Sequence, residues 1–307
     1  MTIRTDEEIR HMAIQLLKAK TSRDKQRRIG ASNLSNGCDF CLASNFLGDD
    51  RATPITDRAW MGKTWGTAQH NIFEQRVSEA VDYSNMDPAA IAVAREMAEF
   101  MFGLFPDAKA ETHVFFADIA GYGQVGGTID LLLEDQIVDW KSTLRKKLAV
   151  FIDYVEISRG NEAPYGRKHA HVKLSEKEYA AEMLAMAYKY AGYYGQQTLY
   201  MKGSGTKHAS LVFLCRDGTG VFDNPAGARY LDRTAMHDIY VTSFEYNEAY
   251  AQALILRGSQ IWAHLESGGT PADYTPHPQC FPCGQDAQGA AKSNPDIDIE
   301  VTFPVAA

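Results

Sequence analysis

Residues 126–143 read GGTIDLLLEDQIVDWKST. Ile129, Leu131 and Leu133 alternate with their neighbours, and Ile137 and Val138 resume the apolar pattern after Glu134-Asp135, which is the signature of a β-hairpin. A two-residue turn at Glu134-Asp135 pairs Leu133 with Gln136, and the same count sets Asp130 opposite Asp139. Directly opposed residues share a face, with Cβ atoms about 4.5–5.5 Å apart. Lys141, two residues beyond Asp139, joins that face. Two carboxylates that close repel each other unless positive charge lies between them. A divalent metal ion held by oxygen ligands is the simplest candidate.

The rest of the chain bounds this reading. With 307 residues and 45% hydrophobic content it can build a globular core, as one large domain or two. No apolar run approaches the ~20 residues of a membrane helix. The opening MTIRTDEEIRH lacks the apolar stretch of a signal peptide, so a cytoplasmic protein with no membrane association is expected. A formal net charge of −8 argues against a uniformly basic nucleic-acid coat, but basic residues concentrate locally in 18–28 and 145–173.

Four of the five cysteines form two C-x2-C pairs, Cys38/Cys41 and Cys280/Cys283. In a reducing compartment such pairs read as a metal or cluster site rather than as disulfides. A shared metal would staple two distant parts of the chain together, removing loop-closure entropy that local contacts leave in place. Cys215, inside the apolar run SLVFLCR, reads as a core thiol.

Amphipathic patterning predicts helices over 6–20 and 64–81, the second placing His70 and Glu74 at i and i+4 on one face. Glu74 serves either the metal or a neighbouring base such as Arg76. Asp87-Pro88 opens a helix to about Phe102. Strands are expected at 111–118, through the hairpin, and at 208–214 and 238–245, with helices at 247–266 and from the Ser175-x-x-Glu178 capping box towards Tyr200, bent at Gly192 and Gly195. Segment 145–173 shows no clear period and reads as a long loop with short elements. Its seven basic residues with Phe151, Tyr154 and Tyr165 suit a groove with stacking platforms for single-stranded nucleic acid. The sum is an α/β pattern with a central mixed sheet flanked by helices. It divides into an N-terminal segment with the first Cys pair (1–63), a core (64–266), and a second Cys pair with an acidic tail expected to be mobile (267–307).

The ordered motifs Gly127-Thr-Ile-Asp130, Val138-Asp139-Trp140-Lys141, Gly66-Thr-Ala-Gln-His70 and Gln196-x3-Tyr200 resemble the PD-(D/E)XK nuclease superfamily, in its RecB-like exonuclease branch. The resemblance spans about Ser32 to Cys283. It implies a restriction-endonuclease-like core, with magnesium or manganese held by His70, Asp130, Asp139 and the carbonyl of Trp140. Lys141 would then assist the chemistry, and Gln196 and Tyr200 would position the substrate. The flanking cysteines are similar to those of the iron–sulfur subgroup, implying a [4Fe–4S] cluster. That subgroup supplies one cysteine early and three late, whereas this chain has two and two, and Zn2+ remains the alternative.

Independently of the resemblance, a metal on Asp130 and Asp139 supplies an acidified water and a charge clamp for phosphodiester hydrolysis. An ammonium beside it stabilises the charge that builds on the phosphoryl oxygens. The expectation is a metal-dependent exonuclease on single-stranded or frayed DNA, in recombination, repair or phage replication. Its location would then be the host cytoplasm if phage-encoded. A structure-selective endonuclease and a non-catalytic DNA-binding accessory protein are the alternatives. No G-x4-G-K-[ST] phosphate loop occurs, so a motor would have to come from a helicase or recombination partner.

Overall fold

The computed structural model describes residues 29–48, 109–166, 168–169, 172–215, 239–280 and 283. The helices expected over 6–20, 64–81 and 87–102, the basic segment 18–28 and the tail 284–307 lie outside the described residues. In chain order the elements are α1 (Ala31–Leu34), α2 (Asp39–Phe46), β1 (Lys109–Ile119), β2 (Gly123–Leu132), β3 (Gln136–Thr143) and α3 (Arg145–Ser158). Then come β4 (Lys168–His169), β5 (Val172–Lys173), α4 (Glu176–Ser204), β6 (His208–Cys215), β7 (Ile239–Glu245) and α5 (Glu248–Glu266).

The sheet order is β1-β2-β3-β6-β7, with β4 and β5 forming a separate short ribbon. β1 to β3 make an antiparallel meander, β6 runs parallel to β3, and β7 returns antiparallel to β6. A parallel pair requires a crossover, and the segment from α3 through α4 provides it. The parallel strand β6 carries the near-continuous apolar run ASLVFL expected of a strand covered on both faces. This is the α/β architecture read from the sequence, a mixed sheet flanked by helices.

The hairpin turn closes through the Leu133 N–H to the Gln136 carbonyl at 2.8 Å, and Leu131 pairs with Val138 and Leu132 with Ile137. That register is the one counted from the two-residue turn. The N-terminal elements belong to the same core: Leu34, Leu42 and Phe46 pack with Ile119, Ile129, Ile137 and Phe213. Close approach depends on two glycines, because a Cβ at Gly258 would collide with Leu34 and one at Gly195 with Ser35. Gly195 therefore serves close packing within α4, which runs as one element of 29 residues. The capping box at its start forms as expected, with Glu178 N–H donating to Ser175 Oγ and Ser175 N–H to the Glu178 carboxylate.

One expectation is overturned. Residues 145–158 form α3 rather than loop, and Leu148, Ala149, Val150, Phe151, Ile152 and Val155 are buried. Local signals oppose this helix: Leu144 offers no side-chain cap, and Arg145-Lys146-Lys147 place positive charge where the helix dipole is already positive. Tertiary burial of an apolar run wins over them. Phe151, Tyr154 and Tyr165 consequently pack in or against the core and do not form an exposed stacking platform.

Asp153 on α3 is fully buried, and its carboxylate accepts the N–H groups of Tyr165 and Gly166 and the hydroxyl of Tyr179 at 2.8, 2.9 and 2.8 Å. It thereby ties the chain after α3 to the start of α4. Burial and this carboxylate together push the Tyr179 hydroxyl well above the usual tyrosine range. Asp153→Ala strands three donors and should cost about 2–4 kcal/mol, read as a fall in the urea midpoint at unchanged slope.

Candidate active site and a four-cysteine metal site

β3 presents Asp139 as a carboxylate 3% exposed, and the ammonium of Lys141, two residues along the same strand, lies 2.5 Å from its Oδ2. Burial alone lowers the proton affinity of Lys141, but the negative charge of Asp139, helped by that of Asp130, outweighs it and sets the affinity above the ordinary lysine value. Because the folded value is raised, the contribution of Lys141 to stability is present at neutral pH and is lost as pH rises through that value. Asp130, across the hairpin, accepts the backbone N–H of Trp140 at 2.8 Å through Oδ2. The β2–β3 ladder ends at Leu131–Val138, so this side chain takes a donor that would otherwise continue the strand pairing.

α4 lays its C-terminal half against these strands. Tyr200 is buried, Gln196 Nε2 donates to its hydroxyl at 3.2 Å, and its ring packs over Gly127, where a Cβ would meet Cε1 at 2.8 Å. The glycine of the G-x-x-D stretch thus makes room for the tyrosine. Burial, followed by smaller opposing effects from Gln196, Asp139, Lys141 and Asp130, pushes the Tyr200 hydroxyl up to about 12. Lys141 and Tyr200 both sense Asp139 and Asp130, so the structure brings Asp130, Asp139, Lys141, Gln196, Tyr200 and the Trp140 backbone to one site. His70 lies outside the described residues.

Sequence reasoning passed over Tyr193, whose ring centroid is 5.5 Å from Lys141 Nζ and 5.4 Å from Lys189 Nζ. The signal was present in helical spacing: 189, 193, 196 and 200 fall on one stripe of α4. Two carboxylates from neighbouring strands offer the hard oxygen donors that suit a divalent cation.

The four expected cysteines meet. Cys38, Cys41, Cys280 and Cys283 are all buried with their sulfurs within 4.8 Å of one another, the Cys38–Cys283, Cys41–Cys280 and Cys41–Cys283 pairs at 3.6, 3.5 and 3.2 Å. Among the described residues this is the one group of three or more His, Cys, Asp or Glu side chains placed to share an ion. Four buried sulfurs gathered at this range can serve a shared metal, either one tetrahedral ion or a small cluster with one thiolate on each iron.

The surroundings also fit a metal-bound thiolate set. The Cys280 thiol's hydrogen bond holds the Cys38 thiol down near about 4, supported by the His277 backbone N–H, which reaches Cys38 Sγ at 3.4 Å. Burial raises the thiols of Cys41 and Cys283, and the bond to Cys38 raises that of Cys280, so loading an ion would release protons. Tyr188 on α4 donates to Asn36 Oδ1 and stacks on His277 at 4.4 Å. Arg257 on α5 donates to the carbonyls of Leu34 and Asn36.

No family model matches the chain, and no curated protein matches it. Among solved structures the chain is similar to an alkaline exonuclease, LHK-Exo, from Laribacter hongkongensis, with 13% identity, 88% of this chain and 96% of that one covered, and a TM-score of 0.34. A putative exonuclease from Eubacterium rectale shares 11% identity over 98% and 97% of the two chains, with a TM-score of 0.35. A phage-related exonuclease from Haemophilus somnus 129PT shares 12% over 78% and 96%, with a TM-score of 0.33.

Cys41 and Cys280 are 239 residues apart, so an ion between them closes a very long loop. Cys41→Ser should abolish stoichiometric metal binding and lower stability by about 3–5 kcal/mol, read by metal analysis and thermal unfolding of the same sample.

Proposed function

We propose that this chain is a divalent-metal-dependent deoxyribonuclease that hydrolyses phosphodiester bonds as an exonuclease on single-stranded or frayed DNA ends, serving recombination, repair or phage replication. The observation that carries the reading is the ion pair of buried Asp139 with half-buried Lys141, close to Asp130 and Tyr200. The reading also rests on the order of the motifs that hold these residues.

Hydrolysis requires a water in line with the leaving oxygen and stabilisation of negative charge on the phosphoryl group. What a magnesium or manganese ion supplies on Asp130 and Asp139, with His70 and the Trp140 carbonyl in the family's pattern, is a more acidic water and a charge clamp. Lys141 remains an ammonium at neutral pH, since the carboxylates raise its proton affinity, and acts as a donor rather than a base. Its donor groups stabilise the phosphoryl oxygens as charge develops, or orient the attacking water. Tyr200 stays protonated far above neutral pH, and Gln196 fixes its hydroxyl, so this pair positions the substrate strand without exchanging protons. Gly127 admits the Tyr200 ring to the strand surface.

At the cysteines the reading is a [4Fe–4S] cluster in a structural role, with Zn2+ as the alternative that the two-and-two spacing of the cysteines keeps open. Stoichiometric iron with a broad visible band after anaerobic purification is expected; zinc near one equivalent and no band would replace the cluster by a single Zn2+.

Lys141→Ala should lower the cleavage rate about 10²–10³-fold while DNA binding persists, and Asp139→Asn should remove manganese-dependent turnover. Undiminished cleavage by either variant refutes the mechanism. Linear single strands should be shortened progressively and closed single-stranded circles left intact; cut circles would make the enzyme an endonuclease.

A further inference from the structure

The stripe of α4 that reaches the carboxylates does not stop at Gln196. Tyr193 follows one turn earlier, its ring attended by the ammonium of Lys141 at 5.5 Å and by that of Lys189 at 5.4 Å. The two cations differ in their partners. Lys141 is neutralised by Asp139. Lys189 is half-buried and, among the described residues, has no carboxylate within ion-pair distance. A ring contact of this kind leaves the positive charge in place. An ammonium with no carboxylate partner among the described residues, one ring away from the site, is the arrangement that an anion completes.

We propose that Lys189 binds a backbone phosphate flanking the scissile one, with Tyr193 as the spacer that sets the two ammoniums apart along α4. This rests on the nuclease reading and deepens it by assigning the path of the strand. The substrate then runs along Tyr200, Gln196, Tyr193 and Lys189, with Lys141 at the reacting phosphate and Lys189 at its neighbour. Tyr193 acts as a positioning residue: its ring holds both ammoniums in register, and it touches no reacting atom. Phosphate contacts of this type fix register and carry no sequence preference.

The test uses the full-length chain. Lys189→Ala should reduce kcat/KM on a linear single strand about tenfold, with most of the loss in KM. In an Asp139→Asn background, where binding is measured without cleavage, the slope of log affinity against log salt should become shallower by about 0.7, the single-strand value for one phosphate contact. Lys189→Arg should restore both, which a purely structural lysine would not require. Tyr193→Leu removes the spacer beside Lys189 and should raise KM as Lys189→Ala does, with Lys141 still held by Asp139, whereas Tyr193→Phe keeps the ring and should behave like the parent. An unchanged salt slope in Lys189→Ala overturns the proposal even if the parent cleaves DNA. Absence of metal-dependent cleavage by the parent would instead overturn the nuclease reading, so the two failures are told apart.

Discussion

A carboxylate on a central strand, almost removed from water, cannot stand alone. An uncompensated buried charge costs several kcal/mol. Asp139 meets that requirement through Lys141, which period-2 geometry puts on the same face of β3 two residues later. The stability argument ends there, because a well-packed apolar pair of similar volume is often as stable or more so. An ion pair of buried Asp139 with half-buried Lys141 is therefore poorly explained by folding, and the proposed chemistry uses both of its charges. Asp130 sharpens the point: its carboxylate occupies a backbone donor at the place where the hairpin ladder gives out, so a second acid is fixed beside the first.

The other elements are arranged around that pair through α4. One face of the helix carries Tyr188 and Gly195 towards Asn36 and Ser35, the segment leading into the first cysteine pair. Another carries Lys189, Tyr193, Gln196 and Tyr200 towards β2 and β3. Tyr188 and Lys189 are consecutive, so helical geometry alone sends them to different faces. Both faces use a missing side chain for close approach: Gly195 admits Ser35, and Gly127 admits Tyr200. The pose of the helix over the carboxylates and the packing of the cysteine segment are thus two contacts of one rigid element.

How much of this was legible depended on whether the signal was local. The hairpin register followed from a two-residue turn, because turn length fixes pairing for a whole strand pair. The start of α4 followed from Ser175 and Glu178, whose cap is a contact within four residues. α3 was missed because its apolar residues are buried on nearly every side, which erases the 3.6-residue period, and because its first turn carries three basic residues. Only the packing of Phe151 and Leu148 into the core decides it. Nothing in the sequence reveals that Tyr165, Gly166 and Tyr179 converge on Asp153. The cysteine quartet can be counted from sequence, while the convergence of its four sulfurs belongs to three dimensions alone.

The cysteine segment also explains why a metal is useful in a chain that already has an apolar core. α1 is a four-residue helix, too short to hold itself in water, and its end leaves carbonyls without helical partners. Arg257 takes one of them, at Leu34, together with the carbonyl of Asn36 just past the helix end, from an element more than 220 residues away in sequence. A guanidinium suits this work because its donors are fixed in a plane and keep their charge at any physiological pH. Such hydrogen bonds orient the segment, but each is exchangeable with water. Four thiolates on a shared metal would not be so readily exchanged, and they would act on the same few residues, between Asn36 and Cys41. The guanidinium sets direction and a metal on the cysteines would add permanence to the same contact, through a different chemistry.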